Sequence, residues 1–150
     1  MNYALNHAIG AYRTANTAVA PTKAVTLLFD EILNSIILTS YYLHCKEFEK
    51  AFNRIVIAAK VMSGLRQNVN LNAAPELGQQ FVDMYTSNIF ALHNAYGRPD
   101  AVERFADIAS GIVEIRNAWA EISRLPQRSI DTVMQEILDQ RTMRASAEAG

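Results

Sequence analysis

One cysteine in 150 residues, Cys45, leaves no partner for an internal disulfide. A domain of this length buries roughly 68–70 % of the surface its unfolded chain exposes, so no covalent or metal staple is needed. A lone thiol also suits a reducing compartment. Neither sign of charge dominates, with fourteen basic against fifteen acidic residues, and no basic patch stands out. That balance argues against nucleic acid as a partner. Uninterrupted apolar runs are short, IIL being typical and IVIAA the longest. Neither approaches the roughly 18 residues of a membrane span. The opening residues, MNYALNHAIGAYR, lack the basic start and apolar block of a secretory signal. These absences predict a cytoplasmic protein that does not insert into membranes.

Chemistry is equally scarce. A bundle-type di-iron centre needs Glu-x-x-His pairs, and the chain contains none. His7, His44 and His93 fall on three separate elements without a carboxylate at ligand spacing. His-Glu-x-x-His, Gly-x-Ser-x-Gly and phosphate-cradling glycine loops are absent. The reading is therefore no catalytic residue, no metal and no cofactor. Strand alternation, internal repeats and low-complexity tracts are missing too.

What is present is helical periodicity cut by prolines. Residues 21–44 start on Pro21, and a proline is free of cost at a first helical position because that N–H has no intrahelical partner. A second helix is expected over about 47–69, with Phe48, Phe52, Ile55, Ala59 and Met62 on its stripe. The third starts at Pro75 and shows Leu77, Phe81, Met84, Tyr85, Ile89, Leu92 and Tyr96 on one face. Gly97-Arg98-Pro99 stops it. Asp100 and Glu103 have capping-box spacing ahead of the fourth, which carries Val102, Phe105, Ala109, Ile112, Trp119 and Ile122. Leu125-Pro126 ends it. Ser129 is a good N-cap for a shorter segment with Ile130, Val133, Met134, Ile137 and Leu138 together. The final residues, MRASAEAG, have nothing to pack and read as disordered.

The expected fold is all-α: an antiparallel four-helix bundle (21–125), a short N-terminal cap segment (1–20) and a tail with an extra C-terminal amphipathic helix (126–150). In the cap segment Tyr3 to Tyr12 suit a short helix weakened by Gly10, and Thr14 to Ala20 an extended tether. Gly64, Gly78 and Gly111 fall within helices, which suggests either close helix approach or a shallow groove.

The first helix is unusual in having two apolar sides. Val25, Leu28, Phe29, Ile32, Ile36 and Leu43 form one stripe, while Leu27, Leu38 and Tyr42 lie roughly opposite, beside Ala24. A surface helix normally has one stripe, so this one is covered twice or keeps a side for a partner. A helix-in-groove adaptor for an amphipathic client is one function that fits.

The residues also resemble a known family. AYRTANTAVAPTKAVTLLFDEIL resembles the start of the flagellar secretion chaperones, the FliS family, which show a tyrosine, a spacer, a proline and a leucine-rich helix with Tyr/Phe-Asp. Tyr12, Pro21 and Leu27–Asp30 stand at those places. PELGQQFVDMY is similar to the family's GEIAxNLxxLY, with Glu76, Phe81, Met84 and Tyr85 in register, and IRNAW to its LRxAW. The likeness spans about residues 7–122. Ala20, Ala24, Thr26 and Ala73-Ala74-Pro75 depart from the pattern and mark a divergent member.

The resemblance implies a chaperone whose partner is the disordered C-terminal segment of flagellin. That segment folds into helices on the chaperone, which delays polymerisation and delivers the subunit to the flagellar export gate of the type III apparatus. Disordered clients suit such a surface because they wrap a large area. The resemblance also implies that the N-terminal segment lies over part of the apolar surface when no client is bound. Ile9 and Tyr12 fall where that segment carries its functional apolar pair, and Leu27, Leu38 and Tyr42 are the groove candidates. Tyr85 and Trp119 read as core rather than contact, since large aromatics bury first. A homodimer is a further partner that the sequence leaves open, as it does a different helical client.

Overall fold

Pro21 opens α1 (Pro21–His44), and four more helices follow: α2 (Phe48–Gln67), α3 (Pro75–Ala95), α4 (Ala101–Ser123) and α5 (Ile130–Ala149). The computed structural model describes residues 21–149. Ile9, Tyr12 and the short helix and tether expected over residues 1–20 lie outside the described residues, as does Gly150. Among the described residues there is no strand. Helices α1 to α4 form an antiparallel bundle in which each packs on its neighbours in cyclic order. Two polar contacts fix the direction of α4 against α1: Thr26 and Ser123 share a hydrogen bond of 3.0 Å, and Asp30 meets Arg116. Tyr96 at the end of α3 donates to the Phe48 carbonyl at the start of α2, at 3.2 Å.

Helix α1 is the shared wall of the bundle. Leu28, Phe29, Ile32, Leu33 and Ile36 are buried against Ile55, Ala58, Met62 and Leu65 of α2 and Phe105, Ala109 and Ile112 of α4. Burial runs round the helix and takes in polar residues as well as Ala24. Thr26 and Thr39 lie inside because their hydroxyls donate to carbonyls one turn back, Thr22 at 2.9 Å and Ser35 at 2.8 Å. Averaged over a window rather than counted as unbroken runs, α1 is long and apolar enough to cross a membrane, with a mean hydropathy of 1.3. Uncharged Thr, Ser and Asn break the runs without lowering the average much. Within that window 56 % of the residues are buried in the protein, as a central helix requires.

Several local expectations change. Asp100 does not cap α4; its carboxylate instead accepts from Arg104 Nε, at 2.9 Å to each oxygen, and the salt bridge takes the group away from the helix N–H groups. Phe48 and Phe52 leave the core, at 56 % and 43 % exposed, while Ala51 between them is fully buried, so in this turn the helix presents Ala51 rather than the two rings to the core. Phe52 finds the Tyr96 ring at 5.5 Å instead. The residues from Met143 to Ala149 continue α5 rather than ending it. Arg144, Ala145, Ala147, Glu148 and Ala149 are mostly strong helix formers, and they sustain a helix without an apolar stripe. Ser129 does cap α5, accepting from the Thr132 N–H at 3.1 Å.

Only one of the three helical glycines makes a close approach. A Cβ on Gly78 would stand 3.1 Å from Leu71 Cδ2 and 3.3 Å from Val69 Cγ1. The 68–74 connection folds back over the first turns of α3 there, ordered by Asn70 Oδ1 accepting from the Asn72 and Ala73 N–H groups. At Gly64 and Gly111 nothing beyond the adjoining backbone of the same helix comes within 4 Å of that position among the described residues. Close packing does not account for those two.

Candidate functional site

Among the described residues, an apolar opening lies near each end of α1. The first lies at the Pro21 end of α1, against α3 and Trp119 of α4. It holds about 480 Å³ and is walled by Val25, Leu28, Leu77, Phe81, Tyr85 and Trp119, among others. Phe81 links the aromatics, 6.4 Å from the Tyr85 ring and 6.2 Å from the Trp119 ring. Tyr85 is buried, at 3 % exposed, and burial pushes its hydroxyl pKa up to about 12. Trp119 is half-buried. Both therefore belong to the core and to the wall of this opening.

The second opening runs between the C-terminal half of α1, the N-terminal half of α4 and α5. It holds about 350 Å³ between walls that include Ile37, Tyr41, Val102, Phe105, Met134 and Leu138. Periodicity within single helices did not point to it, since its walls come from three elements.

The candidate residues of α1 part company. Leu38 and Tyr42 come together beneath α5, in a small pocket with Arg54, Ile137, Arg141 and Arg144. Leu27 is 43 % exposed and stands eleven positions earlier, about 16 Å up the helix. It is on the same side but not in the same pocket. Ile9 and Tyr12 lie outside the described residues.

The strongest electrostatic feature was not foreseen. Asp30 accepts from Arg116 Nε at 2.8 Å and from its second terminal nitrogen at 3.3 Å, and from Arg128 at 2.7 Å. The Arg116 side chain is only 4 % exposed. It also donates to Asn117 Oδ1 and to the Pro126 carbonyl. Arg128 reaches on to Glu136 of α5, so two cations alternate with two carboxylates. Burial opposes the charge on Arg128, but Asp30 and Glu136 outweigh it and raise its pKa. Asn117 holds the backbone of Arg128 from both sides, accepting from its N–H at 3.0 Å and donating to its carbonyl at 2.8 Å. The network ties the 124–129 connection down and aims α5 back along α1.

Asp30 belongs to LLFD and Arg116 to IRNAW, so two stretches far apart in sequence meet in one buried ion pair. The family model described as flagellar protein FliS matches residues 5–126. This chain belongs to the FliS family. The match takes in all of α1 to α4 and ends before α5. FliS proteins are chaperones of flagellar export, which sets the general role of this chain. No curated protein and no solved structure matches it. In this FliS chain, no three His, Cys, Asp or Glu side chains converge among the described residues.

Proposed function

We propose that this chain is a cytoplasmic export chaperone that binds the disordered C-terminal segment of flagellin, keeps it from polymerising and hands it to the flagellar type III export gate. The observation that carries the reading is the family match across all four bundle helices. Apolar openings on a helical bundle support it, because helix-in-groove recognition needs a hydrophobic trough between helices. Leu27, Leu38 and Tyr42 are the proposed contacts on α1, and Ile9 and Tyr12 form a cap within a separable 1–20 segment. The bundle, 21–125, is the binding body, and 126–150 is a distinct tail. The chaperone works without catalysis, metal or cofactor and uses neither nucleic acid nor membrane.

Titration calorimetry of the full chain with a peptide covering the C-terminal segment of flagellin tests this. One peptide per chain is expected, with a negative heat-capacity change from apolar burial. No binding at tens of micromolar would overturn the flagellin reading, and binding of a different amphipathic helix in its place would favour a general adaptor. Replacing Ile9 and Tyr12 together by alanine should leave the bundle folded and alter client affinity or export. Wild-type values for both would remove the cap from the proposal.

A further inference from the structure

Helix α5 occupies the second apolar side of α1 but is poorly fitted to it. Arg128 sits on Asp30, and Arg141 stacks its guanidinium on the Tyr41 and Tyr42 rings, with centres 4.4 and 4.9 Å away. Contacts thus advance in the same sense along both helices. Between these charged ends only Val133 and Ile137 of α5 are buried. Met134 and Leu138 face the 350 Å³ opening yet stay 45 % exposed. The opening is a solvent-facing apolar groove, and helix-in-groove recognition needs such a trough between helices. Two buried polar atoms add to the misfit: Arg141 Nε and Asn34 Oδ1 have no hydrogen-bond partner among the described residues. Asn34 lies between Asp30 and Leu38 at one-turn spacing, on the side where Leu38 meets α5. The bundle matched by the family ends before α5 begins.

We infer that this side of α1 is a seat for one helix of the client, and that α5 is a tethered stand-in which the client displaces. The inference rests on the reading that the chain binds a flagellin segment. The kind of occupant follows from the one present: an amphipathic helix laid along α1. A bulkier apolar face than that of α5 would fill the opening between Ile37, Val102 and Phe105. Because α5 competes from within the same chain, the apparent affinity for a client is reduced by the fraction of molecules in which the seat is closed.

The test uses the full chain. Hydrogen exchange is measured with and without a saturating flagellin C-terminal peptide, and affinity is compared between wild type and V133D/I137D, which unseats α5 without removing it. Amides of 130–149 should lose protection when the peptide binds, while those of α1 and α4 keep theirs. The variant should bind at least tenfold more tightly, a difference of about 1.4 kcal/mol. Peptide binding that leaves α5 protected, or a variant with unchanged or weaker affinity, would overturn the displacement and leave the function reading standing. If the variant loses helicity beyond α5, the wild-type exchange decides alone. Peptide bound by the variant but not by wild type supports a tightly closed seat. Peptide bound by neither overturns the flagellin reading and this inference with it.

Discussion

Removing the Asp30 carboxylate should be among the most damaging single changes outside the apolar core. In D30A the Arg116 guanidinium, 4 % exposed, loses both of its hydrogen bonds to the carboxylate and its counter-charge. It keeps Asn117 Oδ1 and the Pro126 carbonyl, which solvate the cation without neutralising it. Removing one partner of a buried pair costs about 3–5 kcal/mol, chiefly because the other charge stays buried alone. Arg128 loses less, since Glu136, with its side chain 52 % exposed, still pairs with it. We expect a loss of about 3–4 kcal/mol. At roughly 2–4 °C per kcal/mol for a chain of this size, Tm should fall by about 10 °C. Urea denaturation followed by far-ultraviolet circular dichroism measures it, with the slope unchanged if the native state is still compact. E136Q is the control and should cost under about 1 kcal/mol, because an exposed pair is screened by solvent. A D30A variant within about 1 kcal/mol of wild type, or one no worse than E136Q, would refute the argument that the Asp30–Arg116 pair is buried and structural.

The helical glycines and Tyr85 give two further expectations. G64A and G111A should each stabilise the protein by about 0.5–1 kcal/mol in the same urea assay, since alanine is the better helix former and meets no described neighbour. G78A should gain less or lose stability, because Leu71 and Val69 must move aside. For Tyr85 the folded pKa of about 12 lies above the ordinary value of 10.0, so the group favours the folded state fully below pH 10 and loses that contribution as pH rises towards 12. At pH 11 the loss is about 1.4 kcal/mol. Y85F should lack this component, so the stability of wild type relative to Y85F should fall by that amount between pH 8 and pH 11.

Helix existence was legible in the sequence because apolar spacing and proline placement are local properties. Pro21, Pro75 and the Gly97-Arg98-Pro99 stop mark boundaries that the backbone must respect whatever it packs against. The two apolar sides of α1 were legible for the same reason, and so was the Ser129 cap. The periodic pattern could not assign partners to those sides. Leu27 and Leu38 look alike in sequence, yet one is open to solvent and the other lies under α5, because coverage depends on where a third element comes to rest. Phe48 and Phe52 fit the α2 stripe, yet Ala51 between them takes the core side, a choice made by the neighbouring helices that periodicity does not measure. Gly64 and Gly111 suggested close approach or a shallow groove, and the first fails because the distance between helices is set by all the side chains at the contact and not by one small residue. Asp100 had the spacing of a cap and chose Arg104, a competition decided by side-chain geometry. The Asp30–Arg116–Arg128 network depended most on tertiary structure. Its members are 86 and 98 positions apart, and only the antiparallel return of α4 and the turn after it bring the charges within hydrogen-bonding distance.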